Sequence, residues 1–312
     1  MSTDVATSRV LVVGSANVDY AVAAPRLPRV GETVTGGTLL VNHGGKGANQ
    51  AVAARRLGAE VRFVACVGDD GPGLEIRAAL EREGIGVAGV SVTREAATGT
   101  ALIVIDPEGR NQITVAPGAN RHLLPDHVRA REDFAWARIV VCQLETPLET
   151  TAWALGEARQ HGAVTVLNPA PVRDGIPDIW KLVDYLTPNE GESERLTGVA
   201  VRDRDSAGAA GQALRRLGVG TAILTLGAEG ALACTAGGNL AVAAHRVAVV
   251  DTTAAGDTFT GALAAALGAG HAIEAAVRFA NAAAALTCTR RGAQASLPMG
   301  AEVAQLLAAG SP

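Results

Sequence analysis

Short apolar runs alternate with helix-length segments along most of this 312-residue chain. The runs are rich in Val, Ile and Leu, as in Val10–Val13 and Ile139–Cys142, and they lack an alternation with polar residues. Strands of this kind are buried on both faces, as happens when helices cover both sides of a parallel sheet. The order of elements therefore predicts an α/β fold, a three-layer α/β/α sandwich with a mostly parallel central sheet. The predicted strands are Val10–Val13, Val61–Val67, Ile139–Cys142, Val164–Leu167, Leu182–Leu186 and Ala222–Leu226. The predicted helices are Gly47–Leu57, Gly73–Glu83, Leu148–Arg159, Ala207–Leu217, Ala255–Leu267 and Ile273–Thr289.

Two segments interrupt this alternation. Residues 18–42 carry alternating apolar positions, a turn with Pro25 and Pro28, and a strand-like run over Thr33–Val41. Thr100–Asp106 and Gln112–Ala116 form a second hairpin-like pair. We expect antiparallel strands that form a small β-sheet lid from residues 18–42 and 98–117, with ordinary edge hairpins as the alternative. Because the sequence shows no internal repeat or low-complexity linker, we expect residues 1–312 to form a single domain that carries this lid.

Composition argues against several classes of protein. The net charge is −4 and the basic residues cluster only in pairs, whereas a nucleic-acid surface needs a basic stripe. The first residues lack an apolar core of signal-peptide length, and no stretch is long enough to span a membrane. The four cysteines are far apart and form no C-x-x-C pair, which disfavours a disulfide framework or a zinc site. We expect a cytoplasmic protein that binds neither nucleic acid nor membrane.

The segment Asp251–Phe259 combines a turn of small residues with the start of a helix. Free N–H groups of Ala255, Gly256 and Asp257 are expected to point at one spot that the helix dipole makes attractive to anions. The Asp257 carboxylate beside that spot could take a proton from an attacking alcohol, as phosphoryl transfer requires. The alternative is that Asp257 is a helix N-cap. The two roles are compatible in one residue.

Several polar groups follow predicted strands or begin predicted helices. They are Asn17 and Asp19 after the first strand, Lys46 and Asn49 at the next helix start, and Glu145 after Ile139–Cys142. Carboxylates accept hydrogen bonds from adjacent hydroxyls, while lysine and asparagine donate them. Each residue alone has a plain reading as a turn former or a surface charge. Because ligands bind beyond the carboxyl ends of the strands in open α/β sheets, the set together favours a pocket for a sugar-like polyol.

A nucleotide has two candidate positions. The Gly44–Gly47 segment is not a Walker A loop, because Lys46 is followed by glycine and the glycine spacing is wrong. The glycines of Thr225–Gly230 could turn backbone N–H groups toward phosphates. Asn189 and Glu192 could hold phosphate oxygens and hydrated Mg²⁺. The alternatives are a hairpin turn for the first segment and a helix start for the second.

The motifs as a set resemble the ribokinase/PfkB family of carbohydrate kinases over nearly the whole chain. The matching segments are GSANVD (14–19), GETVTG (31–36), GGKGANQAVAA (44–54), VGDD (67–70), QLETPLE (143–149), LNPAP (167–171), TPNE (187–190), TLGAEG (225–230), DTTAAGDTFTGAL (251–263) and RRGAQAS (290–296). The resemblance implies a ribokinase-like fold and the reaction ATP + D-ribose → ADP + D-ribose 5-phosphate. It implies Mg²⁺, an activating K⁺ ion and a homodimer that pairs through the lid.

The resemblance also implies roles for individual residues. The catalytic group would be Asp257 as the base on the 5-hydroxyl, with Ala254, Ala255 and Gly256 as the anion hole. The sugar-binding group would be Asn17, Asp19, Gly45, Lys46, Gly47, Asn49, Glu145 and Asp257. The nucleotide-binding group would be Asn189, Glu192, Thr225, Gly227, Ala228, Gly230, Gly256 and Asn281. The cation loop would comprise Asp251, Thr253, Thr287, Arg290, Gly292 and Ser296, mostly through backbone carbonyls.

Three positions depart from the family pattern. Asn281 stands where a histidine often flanks the adenine, His43 precedes the double glycine where an apolar residue is usual, and Thr253 replaces an aliphatic residue. The nearest alternative function is another kinase of the family that acts on a nucleoside, a deoxyribose or a ketose. The pair Asn17 and Asp19 together with Glu145 favours ribose. A sugar-binding regulator built on an inactive kinase is a further alternative, although a binder would not need Gly256 and Asp257.

Overall fold

The computed structural model describes residues 8–128 and 132–310. The first seven residues, which enter the prediction about a signal segment, lie outside the described residues. We number strands and helices along the chain.

Strands of the described residues form two separate sheets. The larger sheet has nine strands in the order β13-β12-β11-β10-β9-β8-β1-β4-β5. Its strands are β1 (Arg9–Val13), β4 (Glu60–Gly68), β5 (Val90–Thr93), β8 (Ile139–Cys142), β9 (Val164–Leu167), β10 (Tyr185–Leu186), β11 (Thr221–Thr225), β12 (Ala231–Thr235) and β13 (Gly238–Val242). All neighbours pair in parallel except β11–β12 and β12–β13, which are antiparallel. The predicted mostly parallel sheet is confirmed.

Helices cover both faces of this sheet. They are α1 (Lys46–Arg56), α2 (Gly71–Arg82), α3 (Glu132–Trp136), α4 (Leu148–Gln160), α5 (Glu190–Thr197), α6 (Arg204–Leu217), α7 (Ala255–Gly268), α8 (Ile273–Thr287) and α9 (Gly300–Ala308). Successive residues of β1 enter opposite cores: Val10 and Val12 pack with α1, α7 and α8, while Leu11 and Val13 pack with α4 and α6. Because a strand points its side chains alternately to its two faces, the residues on both faces of such a strand are mainly apolar. This explains the uninterrupted apolar runs of the sequence and confirms the three-layer architecture.

The smaller sheet is built from the two segments that interrupt the alternation. Its strands are β2 (Asn17–Ala23), β3 (Thr38–Gly44), β6 (Gly99–Ile105) and β7 (Asn111–Ala116), in the order β3-β2-β6-β7. The expectation of purely antiparallel strands is wrong, because β2 and β6 pair in parallel. Both follow strands of the parallel sheet, β1 and β5, so they leave that sheet in the same direction. The run predicted over Thr33–Val41 becomes a strand only from Thr38, and Gly36 there has a φ of 87°.

Other predicted bounds shift where the sequence is less regular. The strand expected over Leu182–Leu186 is reduced to Tyr185–Leu186, because Trp180–Leu182 forms a 3₁₀ turn. The four cysteines are free thiols, and burial raises the pKa of Cys142 on β8 to about 12. In the part of the chain that the structure describes, no helix is both long enough and apolar enough to cross a bilayer.

Candidate active site

The helix α7 begins at a strained alanine. Ala254 is the N-cap residue with a φ of 61°, and it is the single non-glycine residue with positive φ among those described. Strain of this kind tends to occur at functional sites. The Ala255 N–H donates to the Thr252 carbonyl at 3.2 Å. The expectation of three free N–H groups is therefore wrong. Those of Gly256 and Asp257 remain without an acceptor within residues 8–128 and 132–310.

Asp257 is the third residue of α7 and not its cap, so the N-cap interpretation is wrong. Its carboxylate is buried and turned toward α1, where Asn49 Nδ2 donates to Oδ2 at 2.9 Å and Gln50 Nε2 donates to Oδ1 at 3.0 Å. The two helices approach closely because Gly261 faces α1. A Cβ at that position would lie 2.6 Å from the Gln50 carbonyl oxygen. Two helix starts thus meet around one carboxylate.

The start of α1 also holds Glu145. The Glu145 Oε2 atom accepts hydrogen bonds from Ser15 Oγ at 2.5 Å and from the Lys46 N–H at 3.0 Å. The glycine before the helix has a φ of 88°, and a Cβ on Gly45 would lie 2.8 Å from the Asn17 nitrogen. The N-terminus of α1 is therefore packed against the loop between β1 and β2, as the Gly-Gly-Lys-Gly segment requires.

Charged side chains around this pocket influence one another. Burial, followed by the negative charges of Glu145 and Asp257, raises the pKa of Asp19 to about 6. The charge of Asp257 raises the pKa of Lys46 above its usual value, burial opposes this, and Glu145 and Glu192 add to it. Lys46 thus stays a cation at neutral pH among these carboxylates.

Asn17 lies at the base of the smaller sheet. Its Oδ1 accepts a hydrogen bond from Asn120 Nδ2 at 2.7 Å, and Asn120 Oδ1 accepts from the Ala16 N–H at 2.9 Å. This arrangement assigns the orientation of the Asn17 amide. The structure thus brings Asn17, Asp19, Lys46, Asn49 and the Glu145 carboxylate to one side of the α7 start.

The two predicted nucleotide segments adopt the plainer local structures. Asn189 caps α5, and a capping box joins it to Glu192, with N–H to oxygen distances of 2.8 and 2.9 Å. Thr225 ends β11, and residues 226–230 form the turn of the β11–β12 hairpin. Gly227 and Gly230 have φ values of 49° and 93°. Ala228 lies between them in a 3₁₀ turn. Asn189 and Thr225 pair as a β-bridge, so the two segments lie side by side. One ligand can therefore contact both segments while they keep these local roles.

Burial has the largest effect on the pKa of Glu192 and raises it, whereas the positive charge of Lys46 lowers it. This coupling links the start of α5 to the polar pocket. Asn281 is different: its Nδ2 donates to the carbonyls of Val242 and Ala243 at 3.0 and 3.3 Å. Its amide nitrogen thus fastens α8 to the end of β13, and only its oxygen is left for a nucleotide.

The predicted cation loop is held together by Asp251. The Asp251 Oδ1 atom accepts from the N–H and the hydroxyl of Thr253 at 2.9 and 2.6 Å, and Oδ2 accepts from the Gly292 N–H at 3.0 Å. Thr287 shares a hydrogen bond of 2.9 Å with Thr258 of α7. Residues 251–253 and 292 are therefore neighbours, as a shared loop requires. Arg290 instead pairs with Glu302, and the Ser296 hydroxyl donates to the Ala293 carbonyl.

Five polar residues that hydrogen-bond to the predicted site residues, or to a neighbour of these, were not identified from the sequence. They are Ser15, Gln50, Asn120, Gln143 and Asn168, and each is buried. A usable signal was present for Gln50 and Gln143. The first is an amide directly before four small apolar residues, 51–54, and the second is the first polar residue after a buried strand.

Comparisons with known proteins agree with this geometry. The model of the pfkB family carbohydrate kinases matches residues 7–299. The chain belongs to the PfkB family of carbohydrate kinases. It is 40% identical over 297 residues to a ribokinase of Haemophilus influenzae, a match that covers 95% of this chain and 97% of the relative. It is 36% identical over 291 residues to a deoxyribokinase of Salmonella typhi, covering 93% and 95% of the two chains. The Arabidopsis thaliana ribokinase, solved with ribose and ATP, superposes with a TM-score of 0.90 at 33% identity, covering 96% of this chain and 99% of that one.

In this PfkB kinase the two glycine-bearing motifs supply the two helix starts of the site. Residues 44–54 form the end of β3 and most of α1, and residues 251–263 form the turn before α7 and the first part of that helix. Their side chains meet at the Asp257 carboxylate, which Asn49 and Gln50 contact. The two motifs therefore act on one carboxylate although about two hundred residues separate them.

Proposed function

We propose that this protein transfers the γ-phosphoryl group of ATP to the 5-hydroxyl of D-ribose. The observation that carries the proposal is the Asp257 carboxylate, buried at the start of α7 beside the polar set Asn17, Asp19, Lys46, Asn49 and Glu145. The similarity to ribokinases, including one solved with ribose and ATP, supports this substrate pair.

In the proposed step Asp257 takes the proton of the 5-hydroxyl. The hydroxyl oxygen forms a bond to the γ-phosphorus, and the bond from that phosphorus to the ADP oxygen breaks, so that ADP leaves with the electron pair. The N–H groups of Gly256 and Asp257 stabilise the transferring group, and Ala254 and Ala255 shape the turn that presents them. A Cβ on Gly256 would meet nothing within 4 Å, so space for a phosphate is open at this residue.

The remaining predicted residues keep their assigned ligands in this proposal. The sugar hydroxyls contact Asn17, Asp19, Lys46, Asn49 and Glu145, with the backbone of Gly45 and Gly47 close by. The nucleotide lies along Asn189, Thr225, Gly227, Ala228 and Gly230, with Asn281 near the base. Mg²⁺, when bound with ATP, neutralises phosphate charge, and Glu192 is the carboxylate that we assign to its hydration shell.

We also propose that a monovalent cation binds in the loop behind the anion hole. We assign K⁺ to Asp251, Thr253, Thr287, Arg290, Gly292 and Ser296, mostly through backbone carbonyls. The bridge that Asp251 makes between residues 253 and 292 supports this assignment. The ion orders the turn that precedes Ala254 and thereby the anion hole.

The smaller sheet acts as a lid over the sugar in this proposal, within a single domain of residues 1–312. Strand β2 carries both Asn17 and Asp19, so a movement of this sheet would open or close the pocket. The sheet exposes Leu39, Val41, Leu102, Ile113 and Val115. Exposed apolar patches mark association surfaces, which supports a homodimer through the lid. The proposed reaction takes place in the cytoplasm, where ATP is available.

A second candidate substrate is 2-deoxyribose. The deoxyribokinase of Salmonella typhi is nearly as similar to this chain as the ribokinases, so overall identity does not separate the two sugars. The discrimination lies in the contacts that the 2-hydroxyl makes. A site built to bind a hydroxyl rejects the analogue that lacks it, because its polar groups are then left unpaired.

The test is a coupled ADP-release assay over ribose, 2-deoxyribose, fructose and ribonucleosides. We expect the highest kcat/KM with D-ribose and formation of the 5-phosphate. A higher kcat/KM with 2-deoxyribose would favour the second candidate. ADP release only with nucleosides, or with no sugar at all, would contradict the proposal, and sugar binding without ADP release would indicate a regulator.

A further inference from the structure

A row of buried amides lies behind the Asp257 carboxylate. Gln50 Nε2 donates both to Asp257 Oδ1 at 3.0 Å and to Asn168 Oδ1 at 3.2 Å. Gln143 Nε2 donates to Gln50 Oε1 at 2.7 Å, and Asn168 Nδ2 donates to the Thr187 carbonyl at 2.9 Å. Gln50, Gln143 and Asn168 are 0%, 1% and 5% exposed. Gln143, Asn168 and Thr187 each follow a strand of the parallel sheet, β8, β9 and β10 in that order.

The two ends of this row, the Thr187 carbonyl and the Asp257 carboxylate, fix the direction of the hydrogen bonds between them. A backbone carbonyl only accepts, so Asn168 must turn its NH₂ group to Thr187 and its oxygen to Gln50. Gln50 must then present its NH₂ group to Asn168. The same NH₂ group faces Asp257, whose carboxylate also only accepts. Both demands agree, and Gln50 Oε1 is left to accept from Gln143.

We propose that Gln50 is a positioning residue for Asp257 and that Gln143 and Asn168 fix its orientation. Asn49 holds one carboxylate oxygen and Gln50 the other, so the plane of the carboxylate is set from α1. Among the described residues, the side-chain hydrogen bonds of Gln50 go to Asn168, Gln143 and Asp257, and of these only Asp257 is assigned to the sugar. Its effect on the reaction therefore passes through Asp257 alone. This inference rests on the proposed role of Asp257 as the base.

The energetics favour such a role over simple packing. Three amides in a closed interior must be desolvated, and the Gln143 Oε1 atom has no hydrogen-bond partner in the part of the chain that the structure describes. An unsatisfied buried polar atom costs about 1–3 kcal/mol. Apolar side chains of the same size would fill this space without that cost. We therefore interpret the amides as the groups that orient the Asp257 carboxylate.

The decisive variant is Gln50→Glu, which keeps the shape of the side chain and replaces the donor with an acceptor. We expect kcat to fall about 10- to 100-fold, because a small misplacement of a reacting group has effects of that size. The KM for ATP should stay within about twofold, because Gln50 contacts Asp257 and none of the residues assigned to the nucleotide. The pH profile adds a second readout. When the introduced carboxyl is protonated it again donates to Asp257, so the ratio of variant to wild-type kcat should rise between about pH 8 and about pH 5.5.

The matched control is Gln212→Glu on α6. Gln212 Nε2 also donates to an asparagine oxygen, that of Asn239, at 3.1 Å, but this pair is exposed and far from the site. Its kcat ratio to wild type should stay near one at every pH. If Gln50→Glu keeps the wild-type kcat, or if its ratio is independent of pH, the inference is wrong.

A second variant covers the case in which Gln50→Glu fails to fold. Gln143→Leu removes the donor to Gln50 Oε1, so the Gln50 amide loses one of the contacts that hold it against Asp257. A smaller fall in kcat is expected, again with an unchanged KM for ATP, and an unchanged kcat would contradict the inference. The proposed function is judged separately, on which sugar the wild type phosphorylates, and the variants are then assayed with that sugar. A wild type that is inactive with every sugar would overturn both.

Discussion

Asp257 is buried, lies in the first turn of α7 and receives hydrogen bonds from two amides of α1. Replacement by asparagine keeps the size of the side chain and removes the base. We expect kcat to fall by more than the roughly 10²–10⁴-fold expected of a general base alone, because Asp257 also orients the sugar. Calorimetric titration should still show binding of ATP. Near-normal turnover of Asp257→Asn would contradict the assignment.

Asp19 predicts a pH dependence of sugar binding. Its carboxyl has a pKa of about 6 instead of 3.8 because it is buried and lies near Glu145 and Asp257. As the pH falls through about 6, the carboxylate takes up a proton and loses its capacity to accept hydrogen bonds from two sugar hydroxyls. The KM for ribose should therefore rise below that pH, measured by steady-state kinetics between about pH 5 and about pH 8.

The stability of the protein should change in the opposite direction. Because the folded pKa of Asp19 is raised, the folded protein binds a proton that the unfolded chain releases between pH 3.8 and about 6. This residue therefore lowers the free energy of unfolding as the pH rises through that window. The weaker sugar binding that we expect in mild acid therefore does not arise from unfolding, because the contribution of Asp19 to stability rises as the pH falls. In the control Asp19→Asn, the KM should be high and should lose this pH dependence.

Two helix starts form the site, and two glycines in them have different tasks. A Cβ on Gly47 of α1 would lie 2.6 Å from the Ser15 nitrogen and 2.7 Å from the Gly14 carbonyl carbon. These are backbone atoms, so Gly47→Ala should push α1 away from the β1–β2 loop and lower the free energy of unfolding by about 1–3 kcal/mol. Activity should fall as well, because Asn49 and Gln50 lie on the same helix. Chemical denaturation and the ADP-release assay measure the two effects.

Gly256→Ala is the matched variant on α7. A Cβ there would meet nothing within 4 Å, so we expect the free energy of unfolding to be unchanged. The added methyl group would occupy the space that we assign to the γ-phosphate, and kcat should fall. Normal activity in Gly256→Ala would show that the phosphate binds elsewhere. Unchanged stability in Gly47→Ala would contradict the close packing of α1.

The loop behind α7 predicts a cation effect. Asp251 joins residues 253 and 292 through three hydrogen bonds to one side chain. We expect K⁺ to raise the activity of the wild type above that in Na⁺ at the same ionic strength. Asp251→Ala should abolish this difference, because the hydrogen bonds that hold residues 253 and 292 together are lost. Equal wild-type rates in the two salts would contradict the cation assignment.

The elements that could be predicted are those whose pattern is local. Val164–Leu167 and Ile139–Cys142 agree with the structure at both ends, because each is a short run rich in β-branched residues that ends directly before an amide residue. The antiparallel β12 and β13 were missed, since half of their residues are Ala, Gly or Asn, which are not typical of strands. The row behind Asp257 was missed for another reason. Gln50 contacts Gln143, Asn168 and Asp257, which are 93, 118 and 207 residues away, so the contact exists only in the folded chain.

At the scale of the whole molecule, the site lies where the smaller sheet leaves the larger one. Strand β2 continues from β1, and Asn17 at its start pairs with Gly44 at the end of β3 and with Gly99 at the start of β6. A Cβ on Gly44 would lie 2.1 Å from Asp19 Oδ2, and one on Gly99 would lie 2.2 Å from Asn17 Oδ1. Glycines at both strand ends therefore make room for the two polar side chains of β2. The base of the smaller sheet and the sugar pocket are one structure, so association through this sheet would affect the pocket directly.

We expect two copies of this chain to form a homodimer through their smaller sheets. It exposes apolar side chains on both of its faces: Leu102 is 57% exposed, and Ile113, which by register points to the other face, is 55% exposed. We expect sedimentation velocity to show a dimer for the wild type. The double substitution Leu102→Arg with Ile113→Arg places a charge on each face and should yield a folded monomer with a raised KM for ribose, since burial of an unpaired charge opposes association. The control is Leu217→Arg, a leucine on α6 that is 41% exposed and lies outside this sheet, and it should remain dimeric. A monomeric wild type, or a double variant that stays dimeric, would contradict a dimer through this sheet.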